Sequence, residues 1–396
     1  MLDWNMKLKL NNKRTRYSLG IIVILLIAFS FLYLLIENKA KTQELEDNLI
    51  EIGQAKNELN ELQNQDQVKI NLELNEEVEN INSTYKNAVS AYEEILDYRN
   101  ISDNTNELDE LYAKTLSLLA EENYEEAQKT IDEIKSIIKT KEEKIAQEEA
   151  AKVVEAQPSA PQSNEPPGSG YSRQTVSTEA GNFLVDIVSA DLGSTKVIVD
   201  TASASDCGNE CPVLPLSDYV SRNGAYAGVN GSYFCPASYP SCAGKTNSFD
   251  TLLMNKDKTY FNSDNNVYSN NPAAIFGGSY VRFVGATSQW GRDTGIDSMI
   301  SNYPLLVSAN NVVFGGDDDP KKGSKGNRSF VANKGNSVYI GVVRSATVAE
   351  SARVMKALGM ENALNLDNGG STALWSGGYK VGPGRNLPNV ILFVSK

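Results

Sequence analysis

The sequence predicts an α+β protein: a C-terminal domain built on a mixed β-sheet with flanking helices, preceded by a transmembrane helix and an all-α stalk of short coiled coil and helical bundle. Three observations predict it. Tyr17 to Ile36 is an apolar run of 20 residues without a charge. Residues 37–156 contain no proline and a single glycine, Gly53, in a background of Glu, Lys, Gln, Asn and Leu. Residues 173–396 hold most of the 29 glycines and alternate short β-rich runs with turns.

Charge divides the chain in the same places. The 396 residues carry 37 Lys and Arg against 50 Asp and Glu, a net charge of −13. Residues 1–16 hold five basic residues and one acidic, residues 37–157 hold 13 and 30, and residues 158–396 hold 19 of each. The acidic balance argues against nucleic acid as a partner, since such proteins present a basic face. There is no histidine. That excludes Ser-His-Asp and Cys-His catalysis, His-rich zinc sites and a two-histidine iron centre.

Residues 1–16 read as a cytoplasmic tail and 17–36 as a signal anchor. At a rise of 1.5 Å per residue the run spans roughly 30 Å, the thickness of a bilayer's hydrocarbon core. Lys7, Lys9, Lys13, Arg14 and Arg16 precede it and, by the positive-inside rule, keep the N-terminus in the cytoplasm. The run exceeds the h-region of a cleaved signal, about 7–15 residues, and Asn38-Lys39-Ala40 is a poor cleavage site. A single-pass protein of the cell membrane is expected, with everything after Glu37 extracytoplasmic.

Residues 37–156 read as the stalk. Leu45, Leu49, Ile52 and Leu59 keep heptad spacing, but Lys56, Gln63 and Asp66 interrupt the seam, so the coiled coil is short and a homo-oligomer through it is left open. Three amphipathic stripes follow: Val78, Ile81, Tyr85, Val89, Tyr92 and Ile95/Leu96; Leu108, Leu111, Tyr112, Thr115 and Leu118/Leu119; and Ala127, Ile131, Ile134 and Ile138. Ser102-Asp103-Asn104 and Glu122-Asn123 break them into a small bundle. Nothing in this region carries chemistry; it reads as a spacer or an assembly element. Residues 157–172, with four prolines, form a semi-extended linker.

The distal domain, residues 173–396, is long enough to bury a sizeable core. Strands are expected over 183–188, 196–200, 225–230, 274–276, 280–284, 312–314, 329–333, 338–343, 363–366 and 390–394, with helices over 216–222, 294–301 and 347–358. All four cysteines, Cys207, Cys211, Cys235 and Cys242, lie here. In an oxidising compartment two disulfides are expected rather than zinc. Three connectivities exist, and the short spacings favour 207–211 and 235–242.

Four clusters could carry chemistry. Asn230-Gly231 closes a strand before Ser232-Tyr233-Phe234, although Asn-Gly is also the strongest hairpin signal. Arg328 stands at the mouth of a strand behind Lys321, Lys322 and Lys325, and Arg can clamp a phosphate with two parallel hydrogen bonds. In Asn365-Leu366-Asp367-Asn368-Gly369-Gly370-Ser371-Thr372, a strand delivers a carboxylate to its tip and two glycines let backbone N–H groups approach a ligand. Asp317-Asp318-Asp319 lacks the spaced oxygens of a calcium loop and reads as a solvated turn.

The order of these clusters resembles the phosphodiester glycosidase family. The resemblance runs over roughly residues 180–396: Asn230-Gly231-x-Tyr-Phe, Arg328-Ser329, a helix holding Glu350, Asn365-Leu366-Asp367-x-Gly369-Gly370-Ser371-Thr372, and Arg385-Asn386-x-Pro388-Asn389. Asn368 stands where the family commonly has Gly. The resemblance implies hydrolysis of a sugar C1–O–phosphate bond in a surface or cell-wall glycan, with no cofactor and no metal. In that reading Asp367 is nucleophile or general base, Arg328 the phosphate clamp and Glu350 a second carboxylate. Asn230, Gly231, Asn365, Gly369, Gly370, Ser371 and Thr372 bind substrate. A phosphate leaves readily, so the missing histidine is no obstacle. The alternative is a non-catalytic glycan-binding or exopolysaccharide-assembly module on a helical stalk. A third reading, a metal-dependent phosphodiesterase, would rest on Asp317–Asp319.

Overall fold

The computed structural model describes residues 13–63, 66–99, 102, 104–155, 160–264, 269–292 and 295–396. Lys7, Lys9, Asp103, Thr294 and the first residues of the expected linker lie outside them. The chain forms two compact units, Met1–Ile81 and Asn82–Lys396.

The described part of the first unit is helical. Helix α1 (Lys13–Gln63) runs without a break through the apolar segment into the acidic one, where Gly53 alone is too little to stop it. Among the described residues it is the one helix long and apolar enough to cross a membrane. Ile21 to Ile36 present bare apolar side chains, which separates this segment from a soluble core helix and makes it a candidate membrane span or signal anchor. The heptad leucines Leu45, Leu49 and Leu59 are exposed as well.

Helix α2 (Asp66–Arg99) begins in the first unit, and in the second its part from Asn82 shares a core with α3 (Asn106–Ala120) and α4 (Tyr124–Glu155). The stripes expected on α3 and α4 are the buried ones: Leu108, Thr115 and Leu119 face Ala127, Ile131, Ile134 and Ile138. On α2 the face is turned. Thr84, Ala88, Ala91, Ile95 and Tyr98 are buried, whereas Val78 and Tyr85 are exposed. Small side chains at 84, 88 and 91 let the helices approach closely, and an apolarity count undervalues such residues.

The β-rich part begins earlier than expected, with β1 (Gly170–Thr178), β2 (Gly181–Asp191) and β3 (Thr195–Thr201). After α5 (Leu216–Asn223) come β4 (Ala227–Asn230), β5 (Leu253–Met254), β6 (Tyr260–Phe261), β7 (Ala273–Gly277) and β8 (Tyr280–Val284). Then follow β9 (Ser298–Ser301), β10 (Leu305–Ser308), β11 (Asn311–Val312), β12 (Gly326–Lys334) and β13 (Ser337–Ala346). Helix α6 (Val348–Ala357) leads into β14 (Asn362–Asn368), β15 (Leu374–Ser376), β16 (Tyr379–Val381) and β17 (Asn389–Ser395). Ser298–Ser301, expected to be helical, is β9. Its four residues are all buried between β5 and β7, and that burial overrides a weak helical pattern.

Three sheets result, in the orders β1-β2-β13-β12-β14-β10-β11, β16-β15-β4-β17-β3 and β6-β5-β9-β7-β8. The class is α+β, as expected. The mixed sheet expected is in fact antiparallel at every described strand pair, both where a tight turn joins neighbours, as in β1–β2 and β12–β13, and where long connections do, as in β2–β13 and β3–β17. The first sheet is buried on both faces with a period of two. Val338, Ile340 and Val342 enter a core shared by all three sheets, while Tyr339 and Val343 pack under α6 with Val348, Ala352 and Met355. The cysteines form Cys207–Cys211 and Cys235–Cys242.

Candidate active site

Strand β14 lies between β12 and β10 and carries Asp367 to its C-terminal end. There Gly369, at φ +61°, turns the chain into a short 3-10 segment, Gly369–Ser371. Beside this tip opens a cavity of about 650 Å³, a size suited to a sugar and a phosphate. Asp367, Asn368, Gly369, Gly370, Arg328 and Arg385 line its protein floor.

The Asp367 carboxylate is almost wholly buried and accepts a hydrogen bond from the Asn368 N–H at 2.9 Å. Burial pushes its pKa up to about 7, against the opposing pull of the Ser371 hydroxyl, the Arg385 charge and that N–H. The Ser371 hydroxyl acts through nearness, since its geometry falls short of a hydrogen bond. Arg328 is also buried. Its Nε donates to the Ala346 carbonyl at 2.8 Å, and Nη2 donates to the carbonyls of Lys321 at 3.1 Å and Ser324 at 2.5 Å. None of these partners is an anion and none uses Nη1; Arg328 forms no ion pair among the described residues, and the charges of Glu142, Asp319 and Glu350 reach it only from further off.

The other expected residues divide into two groups. Gly369 and Gly370 line the cavity. Asn230, Gly231, Asn365 and Thr372 do not, and they brace the floor from behind. Asn230 donates to the Asp367 carbonyl at 2.7 Å, and its Oδ1 accepts from the Ser329 hydroxyl at 2.7 Å and the Ala373 N–H at 3.1 Å. Asn230-Gly231 therefore makes no hairpin but joins two sheets, and a Cβ on Gly231 would collide with Asn389. Asn365 donates to the Tyr233 hydroxyl at 2.7 Å. Asn368, the departure from the family pattern, donates to that hydroxyl at 3.0 Å and accepts from the Ser329 N–H at 3.1 Å. Its amide thus belongs to the brace.

Glu350 stands apart. It closes a capping box with Thr347 at the start of α6 and pairs with Lys325 at 2.5 Å, outside the cavity lining. Asp317 and Asp319 are likewise paired with Lys322.

Five contributors have no role in the sequence reading, although Tyr233 and Arg385 stand within its motifs. Tyr233, Tyr239 and Tyr303 line the cavity, Tyr239 within the loop closed by Cys235–Cys242. Arg385 reaches it from the segment before β17. The fifth is the helical region, read above as carrying no chemistry: Glu94, Asp97, Lys135, Lys139 and Glu142 supply a helical wall of the same cavity. Asp97 is held by Arg385 at 3.0 Å and by the Tyr239 hydroxyl, and Glu93 by Lys321 at 3.5 Å and the Ser241 N–H at 3.2 Å.

Residues 223–394 match the phosphodiester glycosidase family. The matched segment contains Tyr233, Arg328, Asp367 and Arg385, and none of the helical wall. No match is found among curated proteins. Solved structures are similar as well, two of them as follows. One is a hypothetical protein from Synechocystis, at 14% identity and a TM-score of 0.39, covering 57% of this chain and 62% of that one. The other is the zebrafish N-acetylglucosamine-1-phosphodiester alpha-N-acetylglucosaminidase catalytic domain auto-inhibited by its pro-peptide, at 13% identity and a TM-score of 0.43, covering 60% and 87%. The chain therefore spans less than two thirds of the Synechocystis protein.

Proposed function

We propose that this protein is a phosphodiester glycosidase: a hydrolase that cleaves the C1–O bond of a sugar-1-phosphodiester, held at the outer face of a membrane by α1 and acting on surface glycan. One observation carries the reading: Asp367, with a pKa near 7, shares a cavity floor with the Arg328 guanidinium, which forms no ion pair among the described residues, inside the segment that matches the family. Cleavage builds positive charge at C1 and a phosphate dianion beyond it, so a carboxylate at one end and a guanidinium at the other suit the transition state. The raised pKa fits a general base better than a permanently ionised nucleophile, because an effective base titrates near the working pH.

The test incubates the full chain in detergent with UDP-N-acetylglucosamine and other sugar-1-phosphodiesters, with and without chelator, and follows free reducing sugar. Turnover that survives the chelator and falls at least ~10²-fold in D367N is expected, the scale of one general acid or base. Saturable glycan binding with no product from any diester would favour the stalked binding module instead.

A further inference from the structure

The carboxylates lining the cavity are not equivalent. Glu94 pairs with Lys135 at 3.6 Å, Asp97 with Arg385 at 3.0 Å and Asp319 with Lys322 at 3.4 Å. Asp367 and Glu142 form no ion pair among the described residues, and Glu142 accepts no hydrogen bond there either. Glu142 sits on α4, lines the same cavity as Asp367 and Arg328, is half-buried and feels the Arg328 charge. An unpaired carboxyl in a cavity whose floor holds a guanidinium needs an explanation, because an ionised one facing a substrate phosphate would repel it.

We propose that Glu142 is the general acid of the hydrolysis and Asp367 its base, so that α4 is part of the active site; the assignment rests on the glycosidase reading above. In the step, water gives a proton to the Asp367 carboxylate and bonds through its oxygen to C1. The C1–O bond to phosphorus breaks, its electron pair stays on the phosphate oxygen, and that oxygen takes the Glu142 proton. The products are the free sugar and a phosphate monoester. Asp367 ends protonated and Glu142 ionised, and solvent returns the proton.

The surroundings sort the two roles. Glu142 has Lys135 and Lys139 on its own helix, and Glu94 and Asp97 on α2. Asp319, Lys321, Lys322, Lys325 and Arg328 share its cavity from the 319–328 segment, and Tyr233, Tyr239, Tyr303, Asp367 and Arg385 from the rest of the β-domain. Burial, reinforced by the like charges of Glu94 and Asp97, raises its pKa to about 7 against the pull of Arg328. Asp367 instead has a backbone N–H and the Arg385 charge favouring its ionised form. The leaving group matches this acid. Without a donor the leaving group would depart as a monoester dianion, whose conjugate acid has a pKa of about 6, so a donor near 7 can hand its proton to that oxygen as the bond breaks with little imbalance.

The experiment compares wild type and E142Q, both as the full chain in detergent, on UDP-N-acetylglucosamine and on N-acetylglucosaminyl fluoride, whose leaving group needs no proton. Expected is a loss of ~10²-fold or more in kcat on the diester, with fluoride hydrolysis kept within about threefold, which also shows that the variant folds. The alkaline limb of the wild-type pH profile should vanish in E142Q. Equal loss on both substrates, or diester turnover at or above wild type, overturns the assignment; the second outcome would make α4 a mere cover. A wild type without diesterase activity would instead overturn the glycosidase reading, and this assignment with it.

Discussion

Asp367 is buried where its charged form is disfavoured, and this has a sign that can be measured. Between the ordinary carboxylate value near 4 and about 7, the folded chain holds a proton that the unfolded chain has lost. Stability contributed by this group therefore falls as pH rises through that window. D367N removes the titration. It should match wild type in urea unfolding at pH 4 and exceed it at pH 8 by at most about 4 kcal/mol, while losing turnover. A variant that gains nothing at pH 8 would show that the buried carboxylate is already compensated. Asn230 gives the opposite case. N230A strands the Ser329 hydroxyl, the Ala373 N–H and the Asp367 carbonyl in a dry interior, and should cost about 3 kcal/mol or more. Equilibrium unfolding checks this, and a loss under 1 kcal/mol would mean that water replaces the amide. Asp367, Gly369 and Gly370 were legible because a strand end followed by two glycines is a local pattern. Asn230 and Asn365 could be picked out but not as braces, since partners such as Asp367 for Asn230 and Tyr233 for Asn365 lie 137 and 132 residues away and sequence gives no direction to an amide.

At the scale of elements, legibility followed the same rule. Thr347-x-x-Glu350 is a capping-box sequence, and the structure uses it as one, which takes Glu350 out of the cavity. The stripes on α3 and α4 were readable because large apolar residues mark them. The face of α2 was not, because Thr84, Ala88 and Ala91 mark it with absence of bulk. Nor could any pattern show that this helix docks through Glu93 and Asp97, whose partners Ser241 and Arg385 stand 148 and 288 positions further along. The docking contacts are charged and few, so this joint should open more readily than the sheets. D97A removes the acceptor for both Arg385 and the Tyr239 hydroxyl. It should speed amide hydrogen exchange over 82–99 while β2, β12 and β13 stay protected. Exchange that rises equally in the sheets would show that the helices and the β-domain unfold as one.

For the whole molecule, the boundary that matters for folding differs from the one that matters for chemistry. The cut at 173 expected from composition would remove Gly170, Tyr171 and Ser172 from β1, including the Tyr171 hydroxyl that donates to buried Asp186 at 2.6 Å. A cut at 160 keeps all of β1, together with the Gln162–Thr175 bridge that ties residues of the supposed linker to it. The helical core contains only residues from α2, α3 and α4, and the sheet cores contain none of them. Residues 160–396 should therefore fold alone, with the near-ultraviolet circular dichroism of a packed interior. Its cavity would keep Asp367 and Arg328 but lose Glu142 and the rest of its helical wall. Diester turnover should then fall by ~10²-fold or more relative to the full chain, whereas the fluoride, which needs no acid, should still be cleaved. A fragment faster than the full chain on the diester would reverse the reading, because the helices would then close the site rather than complete it. A fragment slow on both substrates yet fully folded would place the contribution of the helical wall in substrate binding, separable by its effect on KM rather than kcat.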